Sequence, residues 1–133
     1  MSRKMARESA FKLIYQIPFH PEKSIAEVVE TYSLCEEYAK LDERDVEYIN
    51  AAVNGCFDNL EMIDDKISGS LKNWTIGRLS KVNLSILRLS ISEMTYADVP
   101  FQVSINEAVE LAKKFSDDDA PSFVNGVLAD VIK

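Results

Sequence analysis

The sequence predicts an all-α protein of about seven helices. Three observations carry that expectation. Apolar residues recur at helical rather than alternating spacing along most of the chain. Glycine and proline number only four each in 133 residues, too few for a turn-rich β fold. The stretch Val82–Ala97, VNLSILRLSISEMTYA, is apolar on more than one side. Val82, Ile86, Leu89 and Met94 serve one face, and Leu84, Leu87 and Ile91 another. A helix of that kind is surrounded by other helices, so it is expected at the centre. Asn83 is a candidate N-cap and Pro100 follows the end. Arg88 and Glu93 interrupt the run, and a charge there needs a partner or a wet edge.

In chain order, Met5–Ile17 reads as the first helix. Ala6, Ala10, Leu13, Ile14 and Ile17 repeat at helical spacing, and Pro18 stops it. Arg3, Lys4 and Arg7 lie at its start, where the helix dipole prefers anions. A local preference broken this way points to another use for the cations. Ser24 and Glu27 have capping-box spacing and open a second helix to about Leu34. The acidic stretch Cys35–Lys40 yields no assignment. A third helix starts near Asp42 or Asp45 and buries Val46, Ile49, Val53, Phe57 and Leu60. Gly55 within it suits a close helix approach. After a break at Asn59 or Glu61, Met62, Ile63, Ile67 and Leu71 mark a fourth helix. Trp74 is expected as a plug between two halves of the molecule. Arg78 and Lys81 follow as exposed cations. Beyond the central helix, Ser104 and Glu107 form a second capping-box pattern, and Ile105, Ala108, Val109, Ala112 and Phe115 an apolar face. The acidic loop Ser116–Asp119 leads to a last helix, with Asp119 as cap and Pro121 in the first turn. Gly126 in that helix is costly unless something approaches its backbone.

A length of 133 residues suits one domain or two closely packed halves. Fifteen Lys and Arg against 22 Asp and Glu give a net charge of −7, which excludes nucleic-acid binding by bulk charge and leaves a local basic patch. No apolar run approaches the roughly 20 residues of a membrane span, and MSRKMARESA lacks a signal peptide's apolar segment. A cytoplasmic protein is expected. Cys35 and Cys56 have no ligand spacing and read as free, at least partly buried thiols. No metal site, cofactor motif or catalytic constellation stands out: His20 is the one histidine, between Pro18 and Pro21, and phosphate loops, zinc motifs and nucleophile elbows are missing. What remains are binding signals. They are the Arg3, Lys4 and Arg7 cluster, whose alternative is a frayed, soluble terminus; Phe123, either a core residue or, if exposed, a stacking face for a base; and Arg88, whose structural alternative is an ion pair with Glu93, Glu107 or Glu110.

The series ILRLSISEM at 86–94, VPFQVSINEAVELAKKF at 99–115 and FVNGVL at 123–128, behind a basic first helix, resembles the NusB family of bacterial transcription antitermination factors. The resemblance covers nearly the whole chain. It implies two small helical bundles, 1–60 and 61–133, packed as one compact unit without catalysis or cofactor. It also implies partners: NusE, a small-subunit ribosomal protein; single-stranded boxA leader RNA; and the RNA polymerase elongation complex with NusA and NusG. Some relatives also form homodimers. Carried over by position, the RNA contacts are Arg3, Lys4, Arg7 and Tyr15 on the first helix and Ser122, Phe123 and Asn125 on the last. Arg78, Lys81, Asn83 and Arg88 are further candidates for RNA or partner contact. The basic tip is expected close to the entrance of the last helix, joined to it by an electropositive groove. Two departures are visible: the N-terminus has only two arginines and one lysine, and Ser116–Asp119 is acidic where relatives often carry glycine. Two alternatives follow. One is a substrate-recognition module like those preceding RNA cytosine methyltransferase domains, for which this length leaves no catalytic domain. The other is a protein-only scaffold.

Overall fold

The structure is a computed structural model that describes residues 2–133. Eight α-helices and two 3-10 turns make up the described residues, with no strand among them. The helices are α1 (Ser2–Gln16), α2 (Ile25–Tyr32), α3 (Glu36–Ala39), α4 (Glu43–Asp58), α5 (Leu60–Ser70), α6 (Lys81–Tyr96), α7 (Phe101–Phe115) and α8 (Ala120–Val131). The helix beyond the seven expected is α3, a single turn inside the acidic stretch that carries no periodic signal.

Local chemistry explains most boundaries. The Glu27 N–H donates to Ser24 Oγ at 3.1 Å and the Ser24 N–H to Glu27 Oε1 at 2.8 Å, closing the box that starts α2. Asp42 and Asp45 make the same reciprocal pair at α4. Asn59 ends α4 and precedes α5, its side-chain amide donating to Gly55 O at 3.0 Å. Two caps differ from expectation. At α6 the cap is Ser80, whose Oγ accepts from the Asn83 N–H at 3.1 Å; Asn83 is the third residue of the helix. At α7 the helix begins a turn early, directly after Pro100, because Asp98 reverses the chain at φ 53°. Ser104 is therefore inside the helix and fully buried, not at its cap.

α6 occupies the centre and packs against α1, α4, α5, α7 and α8. Leu84, Ile86, Leu87, Leu89 and Ile91 are all buried, as a helix apolar on every side requires. Ser92 Oγ donates to the Ala52 carbonyl at 2.6 Å and so pins α6 to α4. Gly55 lets the two helices meet: a Cβ there would lie 2.8–2.9 Å from Tyr96 side-chain atoms. Gly126 is the opposite case. Nothing stands within 4 Å of its missing Cβ, so no close approach explains it. Gly126→Ala should therefore stabilise the protein by about 0.4–1 kcal/mol through the unfolded chain's lost freedom, read as a higher urea midpoint at unchanged slope.

Trp74 does not plug the molecule. It stands 53% exposed in the loop between α5 and α6, with the Arg78 guanidinium 5.9 Å from its ring centroid. Both cysteines are free, Cys35 half-buried and Cys56 buried. Burial pushes the Cys56 thiol up to about 12. No helix among the described residues is long and apolar enough to cross a membrane.

Candidate nucleic-acid interface

The three N-terminal cations separate into different environments. Lys4 is exposed and lines two neighbouring grooves between α1 and the end of α7. Arg3 is partly covered, its guanidinium 4.6 Å from the Tyr48 ring centroid and its Nε 3.6 Å from Asp45 Oδ1. Arg7 is 5% exposed and turned inward, which removes it from the expected set of surface cations. Its Nε donates to Glu93 Oε1 at 3.0 Å, and its Nη1 lies 3.6 Å from Glu107 Oε1. The physical reason lies in its register. Arg7 shares a helix face with Ala10 and Ile14, which are fully buried, so it must enter the core with a partner.

That partner centres a polar network. The Glu93 carboxylate also accepts from the Tyr48 hydroxyl and from Ser104 Oγ at 2.6 Å, and Ser104 Oγ meets Ser90 Oγ at 2.7 Å. Four helices, α1, α4, α6 and α7, are joined through this one side chain. Burial alone would pull the Arg7 pKa down. Tyr48, Glu93 with its hydrogen bond, and Glu107 outweigh it and hold it above its ordinary value. Burial drives the Tyr48 phenol far upward and Glu93 adds to it, so the hydroxyl stays a donor.

Arg88 is also a structural residue, with a partner outside the expected set. Its Nε and Nη2 donate to Asp64 Oδ1 and Oδ2 at 2.9 and 2.8 Å, tying α6 to α5. Such a two-pronged pair fixes orientation as well as charge. At 14% side-chain exposure Arg88 offers little to a ligand.

Other cations, missed by the sequence reading, surround Lys4. Lys114 reaches from α7 to Glu8 on α1 at 2.8 Å, and Lys113 lines the same groove. The groove is of mixed charge, because Glu8, Glu107 and Glu110 line it too. Tyr15 lies farther along α1, half-buried, in a tilted stack with Phe11 at 6.4 Å and with the exposed Phe19 at 5.3 Å.

A second cluster forms where α8 begins. Ser122 and Asn125 are exposed, and Phe123 is partly buried against the core. Trp74, Arg78, Asn83 and Phe123 line one cleft there, together with Asp117 and Asp119. Asp119 occupies the cap position of α8 without a side-chain cap bond. Lys81 is exposed in the first turn of α6. The last turn of α7 and the residue after it connect the two clusters. Lys114 and Phe115 face α1, the latter 5.0 Å from the Phe11 ring centroid, while Ser116 Oγ donates to Asn83 Oδ1 at 2.7 Å. Among the described residues the two clusters thus line separate grooves, and Asp117 and Asp119 interrupt the positive run that was expected to be continuous.

Fold and surface together define a class: an all-helical protein with exposed cations and aromatic rings around shallow grooves. The chain belongs to the NusB family, whose model matches residues 4–133. It is 46% identical over 134 residues to the transcription antitermination protein NusB of Acetivibrio thermocellus, covering 100% of this chain and 90% of that one. The NusB of Natranaerobius thermophilus is 46% identical over 132 residues, covering 98% and 94%. Among solved structures, T. maritima NusB superposes with a TM-score of 0.85 at 34% identity, over 97% of this chain and 89% of that one. A complex of the antitermination factors NusB and NusE with double-stranded RNA contains a chain that superposes with a TM-score of 0.84 at 29% identity, over 98% and 95%. The family's relatives are named for a regulatory role, and no enzymatic family is indicated.

Proposed function

We propose that this protein is a non-enzymatic, cytoplasmic antitermination factor that binds boxA-type single-stranded RNA together with NusE. In this reading it joins the RNA polymerase elongation complex with NusA and NusG. The observation that supports it most is the near full-length likeness to a chain of the NusB and NusE complex crystallised with double-stranded RNA. The surface fits that role. Lys4, with Arg3 beside it, meets phosphates along α1, and Ser122, Phe123 and Asn125 meet the strand at the entrance of α8. Two exposed or half-exposed cations make a modest footprint, so affinity is low alone and rises when NusE adds its own surface.

The test is a titration of boxA-like and scrambled RNA, with and without NusE, at two salt concentrations. Preference for the boxA sequence that strengthens with NusE is expected. Replacing Arg3 and Lys4 together with alanine should weaken binding and reduce the salt slope by about 1.4, at roughly 0.7 per lost phosphate contact on a single strand. Arg7 is kept out of that variant, because losing it would disturb the core. Equal affinity for both RNAs, with or without NusE, refutes the reading. Asp117 and Asp119 at the mouth of α8 favour a second reading, a scaffold that contacts protein only. Capture of NusE with no gain in RNA affinity would select it.

A further inference from the structure

We propose that the cleft between Trp74 and Phe123 is a stacking subsite for one unpaired RNA base, with Trp74 as its platform. This rests on the RNA-binding reading above and extends it to residues outside the first and last helices. The ring is in the wrong place for a core residue. Trp74 is the chain's one tryptophan, and it stands 53% exposed although the core has room for 28 buried apolar side chains. Roughly half of the 150–250 Å² that such a ring can bury stays open to water.

Its surroundings suit a nucleotide. The Arg78 guanidinium lies 5.9 Å from the indole centroid, within cation–π range, and its N–H groups can donate to a phosphate beside the ring. Trp74 and Phe123 line two adjoining clefts at once, so both rings border open space on either side. The first cleft, of about 320 Å³, also holds Asn83, whose amide NH2 can donate to a base edge while its Oδ1 accepts from Ser116. The second holds Lys72 and Ser122, and beside them the side of α8 at Gly126 is open. The charges set a direction. Asp117 and Asp119 line the first cleft and repel phosphates there, while Lys72 attracts them at the second. Asp130 lines that cleft too, engaged by Ser70, by Lys133 at 3.5 Å and by Lys72, and so offsets part of the Lys72 charge. A base in the first cleft with its backbone leaving over Arg78 and Lys72 satisfies both.

The lone tryptophan makes the subsite directly readable. Labelled single-stranded boxA-type RNA is titrated into the full chain with NusE, following RNA anisotropy and Trp74 emission together. Quenching that tracks the anisotropy isotherm is expected. Trp74→Ala should weaken binding about tenfold, within the range for a single base–aromatic stack, while Trp74→Phe retains most of it. Lys72→Ala should lower the salt slope by about 0.7. Circular dichroism checks that the variants keep their helices, and the wild-type emission needs no variant at all. Binding by anisotropy with unchanged emission and an unaffected Trp74→Ala variant overturns the subsite and leaves the RNA-binding reading intact. Emission that responds to NusE alone, and no further to RNA, overturns it in favour of a protein contact. Loss of any anisotropy change overturns both.

Discussion

Replacing Glu93 with alanine should remove about 3–5 kcal/mol of folding stability, the cost of leaving a buried partner charge uncompensated. That is a large share of the roughly 5–15 kcal/mol that holds a domain of this size together. Glu93 is 1% exposed, and its carboxylate serves Arg7, Tyr48 and Ser104 at once. Without it the Arg7 Nε and the Tyr48 hydroxyl stay buried without their acceptor, Glu107 at 3.6 Å from Arg7 Nη1 compensates only part of the charge, and each lost hydrogen bond adds a desolvation cost of its own. Urea unfolding followed by circular dichroism measures the loss. Glu93→Gln keeps the oxygen acceptor and most of the shape, so it should lose less. The informative control is Arg7→Met combined with Glu93→Leu. Removing both charges together should recover much of the stability, because a buried pair is often worth little against apolar residues of similar volume. If Glu93→Ala unfolds at the wild-type urea concentration, the network is not what holds α1 against α6.

The second large effect is steric. Gly55→Ala should destabilise by about 1–3 kcal/mol, the usual range for forcing extra volume into a packed contact. Helix propensity pulls the other way, since alanine in place of glycine gains up to about 1 kcal/mol in a helix interior. Geometry decides which wins. The added Cβ would meet Tyr96 Cδ2 at 2.8 Å and Tyr96 Cβ and Cγ at 2.9 Å. Atoms that close to the backbone cannot swing aside like the tip of a long side chain, so α4 and α6 must part. Shortening Tyr96 to alanine in the same chain should remove the Cδ2 and Cγ contacts but keep the Cβ at 2.9 Å, so recovery is partial, and a double-mutant cycle would show the double variant less destabilised than the sum of the two single ones. A stabilised Gly55→Ala variant would mean that the two helices meet less closely. The opposite sign expected at Gly126, on identical chemistry, makes the pair a direct test of packing against propensity.

Helix identity was legible in the chain; several partnerships were not. The all-round apolar pattern of 82–97 placed α6 at the centre correctly, and Ser24 and Glu27 marked the start of α2. A close approach at Gly55 was also readable. The caps of α6 and α7 were displaced by a few residues: at α6 Ser80 and Asn83, three apart, are interchangeable as cap patterns, and at α7 the helix starts directly after Pro100, ahead of the Ser104 pattern. Arg7 carried a readable clue that was given the wrong use. A cation in register with Ala10 and Ile14, on a chain that also places a glutamate inside its greasiest helix, is half of an ion pair. Distance in sequence hid the match, since 86 residues separate the two. Asp64 was missed as the partner of Arg88 for the same reason, 24 residues away along the chain. Trp74 misled by size: a large ring suggests a core position, yet the loop carries it outward. Lys113 and Lys114 lie in the last turn of α7, and nothing local announces that α1 passes beside them.

The two thiols turn the molecule into its own clock for breathing motions. Cys35 is half open to solvent, whereas Cys56 is enclosed and its proton is held by burial, so an alkylating reagent reaches the second only when α4 lifts from its neighbours. Their relative labelling rates separate surface chemistry from transient exposure of the interior within one sample, without any introduced probe.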